Sequence, residues 1–333
     1  MILNQFKLLL YIIVFLGSYE CTFAKKKPLK IAFWNVENLF DLKDDPSKND
    51  EEFLIGGRKN VTIESYNLKL DNLGEVINNI NADIFGLCEV ENYFMFEEIS
   101  KKAKTDFEII HYESPDKRGI DVGVLYNRKQ VDLIESKPLK VELPNGSPTR
   151  DILYLKFLKD SFPFHLYVNH WPSKYGGVKK TIPFRIAAAK TLRNHIDEIL
   201  KFDSSSEIII IGDLNDEPND SSVVNYLKAS TDLSQVYKND YDLFNMMMPW
   251  HQNDNGSTYT YSGKHMVYDH IIISKGLFDN KGLSYVKKSV GIFDGEKYRQ
   301  HGGKYDGYPY RFWAGNRILG GYSDHMPVYI SIE

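Results

Sequence analysis

The sequence predicts a mixed-sheet α/β sandwich folded as one domain. Three observations lead there. Apolar strand-like runs recur along the 333 residues, helical periodicities fall among them without strict alternation, and no internal repeat or low-complexity linker divides the chain. Hydrophobic residues make up 42% and charged residues 26%, a balance that permits a sizeable core.

The first stretch, residues 1–24, stands apart from the rest. Lys7 supplies a short positive start, residues 8–16 form an unbroken apolar run, and Thr22-Phe23-Ala24 precedes Lys25-Lys26-Lys27. This is the layout of a secretory signal peptide, expected to be cleaved after Ala24 and to leave 25–333 as the mature domain in the periplasm or the medium. The run is shorter than the about 20 apolar residues that cross a bilayer, and no other segment is a transmembrane candidate. Glu20 is a poor neighbour for a lipidated Cys21. With Cys21 removed, Cys88 is the remaining cysteine; it forms no intramolecular disulfide and reads as a small buried hydrophobe.

Apolar runs predict strands over 29–36, 84–88, 122–126, 152–158, 164–168, 208–211, 258–261, 268–273 and 327–332. Helical spacing predicts helices over 62–80, where Leu68, Leu70, Leu73, Val76, Ile77 and Ile80 form the apolar face, and over 92–104 and 181–200. Pro183 suits the first turn of the last of these. Residues 41–57 are polar and irregular, and read as a surface loop.

Chemistry collects at the strand ends. Ile31-Ala32-Phe33-Trp34 runs into Asn35, and Ile84-Phe85-Gly86-Leu87-Cys88 into Glu89. The run ending in Val168 leads to Asn169-His170, and the isoleucines 208–211 lead through Gly212 to Asp213 and Asn215. Two segments show the mirror order: Asp269 precedes Ile271-Ile272-Ile273, and Asp324-His325 precedes the last strand. If those two run antiparallel to the first four, all six clusters share one edge, where ligands bind in α/β sheets. Carboxylate and amide oxygens suit Mg2+, with Mn2+ or Ca2+ as substitutes; zinc would want more His or Cys. Histidines beside a cation are what phosphoryl transfer needs. The net charge of −4 argues against a uniformly basic nucleic-acid-coating face, and leaves a local basic groove open.

The segments Trp34-Asn35-Val36-Glu37-Asn38, Glu89-Val90-Glu91-Asn92, Asn169-His170-Trp171-Pro172, Gly212-Asp213-Leu214-Asn215, Tyr268-Asp269-His270 and Ser323-Asp324-His325-Met326-Pro327 together resemble the endonuclease/exonuclease/phosphatase superfamily. That superfamily includes pancreatic deoxyribonuclease, abasic-site endonucleases and neutral sphingomyelinases. The resemblance implies a four-layer α/β sandwich, two packed mixed β-sheets flanked by helices. It implies that Glu89 is the principal metal ligand with Asn35 beside it, and that Asp324 lies near the metal and its waters. Asp213 and Asn215 resemble the pair that positions nucleophilic water and phosphate. His325 resembles the histidine at the scissile phosphate, oriented by Asp269, and His170 the second histidine of the deoxyribonuclease and sphingomyelinase branches. Glu113 resembles the carboxylate that orients His170, and Arg150 a substrate-edge arginine; Arg118, Lys174 and Arg185 also lie on segments near the rim.

The expectation is thus a secreted, divalent-metal-dependent phosphodiesterase. A nuclease acting on nucleic acid comes first and a sphingomyelinase-like phospholipase second; a catalytically silent binding module on the same fold is a remote third. Tyr268-Asp269-His270 replaces the Cys-Asp-Arg triplet of inositol polyphosphate phosphatases. The aromatic stretch 305–313 is expected to stack bases or hold a lipid. His111, His165, His195 and His270 read as structural, with His270 pointing away from Asp269 by strand alternation. No obligate protein partner is evident.

Overall fold

The computed structural model describes residues 27–239, 242–252 and 256–333; the expected leader and its cleavage point after Ala24 lie outside the described residues. The strands begin with β1 (Leu29–Leu39), β2 (Ile84–Val90), β3 (Glu108–His111), β4 (Asp121–Tyr126), β5 (Asp132–Leu139), β6 (Ile152–Lys159) and β7 (Phe162–His170). They continue with β8 (Ile208–Asp213), β9 (Ala229–Ser230), β10 (Leu243–Asn245), β11 (Tyr259–Tyr261), β12 (Lys264–Met266) and β13 (Asp269–Ser274). Last come β14 (Gly291–Ile292), β15 (Trp313–Ala314), β16 (Arg317–Ile318) and β17 (Val328–Ile332). The main helices are α1 (Ile63–Ile80), α2 (Tyr93–Lys102) and α3 (Val178–Phe202).

Two mixed sheets form the centre, one ordered β14-β17-β1-β2-β4-β3 and the other β5-β6-β7-β8-β13-β10-β9. Strand alternation decides how they stack. In β1, Leu29, Ile31 and Phe33 face the core between the sheets, while Ala32, Trp34 and Val36 face α1 and α2. In β8, Ile209 and Ile211 face the inter-sheet core, whereas Ile208 and Ile210 pack under α3. Isoleucine on both faces is what a strand covered on both sides requires. The result is the expected four-layer sandwich. At Gly86 the sheets approach closely: a Cβ there would stand 2.8 Å from Ile211 Cδ1.

Local signals agree with these elements. A capping box starts α1, with Ser65 N donating to Thr62 Oγ1 at 3.2 Å and Thr62 N to Ser65 Oγ at 2.9 Å. Asn92 caps α2 by accepting from Met95 N at 3.1 Å. The polar strand β5 escapes the apolar-run criterion because it is a half-exposed sheet edge, where Pro138 is tolerated. The 41–57 segment is more than a surface loop: Phe53 is buried, stacks on Phe40 at 4.1 Å and meets Trp313 edge-on at 5.5 Å. Among the described residues, no helix is long and apolar enough to cross a membrane.

Candidate active site

Alternation carries the strand-end residues to one place. Asn35 follows Phe33 by two, His170 follows Val168 by two, and Asp213 follows Ile211 by two, so each side chain points to the inter-sheet side just past the core. Asp269 precedes Ile271 by two on β13, which runs antiparallel to β8. The register makes this concrete: His170 lies beside Asp213, and Asp213 opposite Asp269. Glu89 is out of phase, since Phe85 and Leu87 face the helices. A register shift between Cys88 and Val90 and a left-handed backbone at Glu89, φ 61°, turn its carboxylate to the rim. A bulge that re-aims a functional side chain is a recurring use of such irregularity. Asn215 is held at φ 50°. Gly212 lacks a Cβ that would lie 2.4 Å from the Asn169 carbonyl oxygen.

The side chains interlock. His325 Nδ1 and Asp269 Oδ2 are 2.7 Å apart, and His325 Nε2 lies 3.7 Å from Asp213 Oδ2. His170 Nε2 lies 3.8 Å from both that oxygen and Glu89 Oε1. Asn35 Nδ2 donates to Asp213 Oδ2 at 3.1 Å, Asn215 N to Asp213 Oδ1 at 2.9 Å, and Asn38 N to Glu89 Oε2 at 2.9 Å. Tyr259 stacks on the His325 ring at 4.6 Å. Thr258 Oγ1 accepts from Asp269 N at 3.1 Å.

Burial sets the two histidines apart. It opposes charge on His325, but Asp269 and Asp213 outweigh it and hold the imidazole well above its ordinary value. His170 is pressed well below by burial, then by Arg150 and Arg118. Burial pushes Asp213 up to about 7, against the pull of His325 and with the push of Asp269. Opposite shifts on two imidazoles beside one carboxylate suit an acid and acceptor pair.

A family model described as the Endonuclease/Exonuclease/phosphatase family matches residues 30–333. The chain belongs to this family. It is accordingly a divalent-metal-dependent hydrolase of phosphate ester bonds. No curated protein sequence matches it. Among solved structures it is similar to D. rerio TDP2 complexed with single strand DNA product, with 14% identity, TM-score 0.57, and coverage of 92% of this chain and 100% of that one. The human Nocturnin catalytic domain with bound sulfate anion gives 14%, TM-score 0.56, 92% and 94%. An endonuclease/exonuclease/phosphatase family protein from Bacteroides thetaiotaomicron gives 16%, TM-score 0.57, 92% and 95%. At these identities the likeness is one of fold.

Within this family frame, the donors can be tested for a cation. Asp213, Asp269 and His325 place ligand atoms within 4.8 Å of one another. The His325–Asp269 contact is already a hydrogen bond, so that trio reads as a proton relay. Glu89 Oε1 lies 3.8 Å from His170 Nε2, Asn35 Oδ1 accepts from Glu37 N, and Asp324 Oδ2 accepts from Arg311 Nη2 at 2.9 Å. Hard oxygens with spare lone pairs fit a divalent ion.

Several expectations need correction. Glu113 does not orient His170: it groups with His111 and Asp121, and His170 Nδ1 has no hydrogen-bond partner among the described residues. Arg150 is buried, donating to Asp116 Oδ2 and the Trp171 carbonyl at 2.9 Å each, so it braces the His170 turn instead of presenting a substrate edge. Arg185, fully buried, pairs with Asp216 at 2.7 Å. Arg118, 44% exposed beside Asp116, and the partly exposed Lys174 remain toward solvent. Phe312 and Trp313 are buried over the Lys69 ammonium, 4.8 Å from each ring. His270 points away from the rim, as alternation requires, onto Asn245 and the Asp216 carbonyl.

Sequence reasoning missed the brace beneath Asp324. Glu37, buried within the first motif, accepts from the backbone N–H of Phe312 at 2.5 Å and of Trp313 at 3.1 Å. Arg311 links Glu37 to Asp324. The available signal was an acidic residue two places after Asn35, though its direction is set by an irregularity of β1 between Asn35 and Leu39 and by a left-handed backbone at Glu37, φ 56°.

Proposed function

We propose that the protein is an exported, Mg2+-dependent phosphodiesterase that cleaves nucleic acid. The observation that carries this reading is the placement of His170 Nε2 and His325 Nε2 3.8 and 3.7 Å from one Asp213 oxygen. A diester needs a proton for its departing alkoxide and an oriented water, and this pair with Asp213 and Asn215 serves both. Glu89 and Asn35 would hold the cation, with Asp324 beside them. Bound there, a divalent ion supplies charge neutralisation at the phosphoryl oxygens. Asp213 and Asn215 orient the attacking water, His325 holds a proton at Nε2 toward the phosphate, and Asp269 fixes its ring. His170 offers an unprotonated nitrogen beside Glu89.

Support for a nucleic acid comes from Arg118 and Lys174 near the rim and from Tyr175, 94% exposed on the loop after His170. The fold shared with a TDP2 solved with a single strand DNA product points the same way. Phe312 and Trp313 are inside, which removes them as a platform for lipid and for stacked bases alike, while Tyr305 of the same stretch is exposed. The test is hydrolysis by purified protein with Mg2+, Mn2+ or Ca2+ of DNA, RNA, sphingomyelin vesicles and a phosphomonoester. Nucleic-acid turnover that falls steeply with salt is expected. Faster monoester turnover overturns the reading, and activity confined to vesicles replaces it with the phospholipase.

A further inference from the structure

We propose that Arg311 is a substrate-binding residue, taking a phosphate of the nucleic-acid strand on the Asp324 side of the cleft. This contact rests on the nucleic-acid reading above. Arg311 is held in place by the protein itself. Its Nη2 donates to Asp324 Oδ2 at 2.9 Å and its Nε to Glu37 Oε1 at 3.4 Å. The backbone around it is pinned as well. Tyr310 N donates to the Tyr298 carbonyl at 2.8 Å, and Tyr322 N to the Tyr310 carbonyl at 2.6 Å. On the other side, Phe312 N and Trp313 N donate to Glu37. Gly321 lets these segments lie close, since a Cβ there would stand 2.1 Å from the Tyr310 carbonyl oxygen and 2.6 Å from that of Arg311. A guanidinium fixed in this way loses little freedom on binding, so more of each hydrogen bond survives as affinity.

These bonds do not use up the guanidinium. It carries five N–H donors in a planar fork. The two carboxylates engage Nη2 and Nε, and Nη1 donates to no group among the described residues. The side chain is 39% exposed, whereas Glu37 beneath it is 2% exposed. Charge is balanced below: the buried Lys69 also faces Glu37, so two cations serve the two carboxylates. A free, in-plane guanidinium edge suits phosphate oxygens. Its position suits them too. Asp324 directly precedes His325, and Tyr259, which lies near Arg311, stacks on the His325 ring at 4.6 Å. Arg118 and Lys174 reach the rim from the β3–β4 loop and the loop after β7. Three cations from three segments suit a strand with several phosphates, where backbone contacts set position.

The test compares the wild type, Arg311→Gln and Arg311→Lys with Mg2+ on a single-stranded DNA oligonucleotide. It reads KM and the slope of log(kcat/KM) against log salt. Arg311→Gln is expected to raise KM about tenfold or more, the worth of a hydrogen bond to a charged group. It should also flatten the slope by ~0.7, one phosphate contact on a single strand. Arg311→Lys keeps the charge and is expected to keep the wild-type slope. A residue that only braced Asp324 would lower kcat and leave the slope of Arg311→Gln alone. If that variant turns over too slowly, fluorescence anisotropy of the labelled oligonucleotide on the folded protein gives the slope from binding. A wild-type slope in Arg311→Gln, or an equal flattening in Arg311→Lys, overturns this contact and leaves the nucleic-acid reading standing. A wild type that cuts no nucleic acid removes that reading, and this contact with it.

Discussion

Asp269→Asn isolates the proton relay from the metal ligands. Asp269 is fully buried, with Oδ2 2.7 Å from His325 Nδ1 and Oδ1 without a hydrogen-bond partner among the described residues. Asparagine keeps the shape and the backbone N–H bond to Thr258, and removes the charge. If its carbonyl faces Nδ1, a neutral hydrogen bond replaces a charge-assisted one that is about twice as strong. If its amide faces Nδ1, the ring is held as the other tautomer. Either way His325 loses the carboxylate that sustains its protonated form. General acid–base help contributes ~10²–10⁴-fold in rate, or about 2.7–5.4 kcal/mol of barrier at ~1.36 kcal/mol per tenfold. The expected result is kcat lower by about that factor, a KM near the wild type, and an unchanged circular dichroism spectrum. Steady-state turnover on the best substrate from the screen measures it. A folded variant whose kcat stays within about threefold of the wild type would refute the role of Asp269 and the acid assignment of His325.

Glu89→Gln should leave the fold intact and abolish most metal-dependent turnover; wild-type activity with normal Mg2+ dependence would remove Glu89 from the metal site. Trp313→Ala should cost ~3–5 kcal/mol of stability, as deletions of buried tryptophan do, and lower activity on vesicles and DNA alike; a selective loss on sphingomyelin would contradict the internal role. Burial holds His165 down at about 4, so the folded state keeps it neutral while the unfolded chain takes up a proton below its ordinary 6.5. The unfolded state therefore binds more protons in that window, and stability is full above pH ~6.5 and falls as pH drops toward ~4, by roughly 3 kcal/mol. Denaturant unfolding of His165→Gln should show a flatter acid slope, and an unchanged slope would exclude this cause. Intact mass of protein recovered from the periplasm or medium should place the first residue at Lys25; a Met1 start there would reject the leader.

Much of the fold and the rim was legible in the sequence because both follow from short-range periodicity. Continuous runs of isoleucine, valine and phenylalanine mark strands buried on both faces, and strand parity carried past the last core residue aims Asn35, His170, Asp213 and Asp269 to one side. It likewise sent His270 to the other. The tertiary structure decided what parity cannot reach. Glu89 lies on the wrong phase and enters the site only through a left-handed backbone and a register shift, which depend on how β2 meets β4. Glu113 lies on the loop between neighbouring strands, so its partner was set by the β3–β4 register, which brings it to His111 and Asp121 and leaves His170 aside. Arg150 and Arg185 read as surface cations along the chain, yet Asp116 and Asp216 draw them inside. Phe312 and Trp313 look like a substrate platform until Lys69 of α1 and Phe53 of the 41–57 segment close over them. Each of these outcomes is a contact between residues far apart in sequence, whose energy comes from desolvation and pairing within the assembled sandwich, and such terms have no local signature.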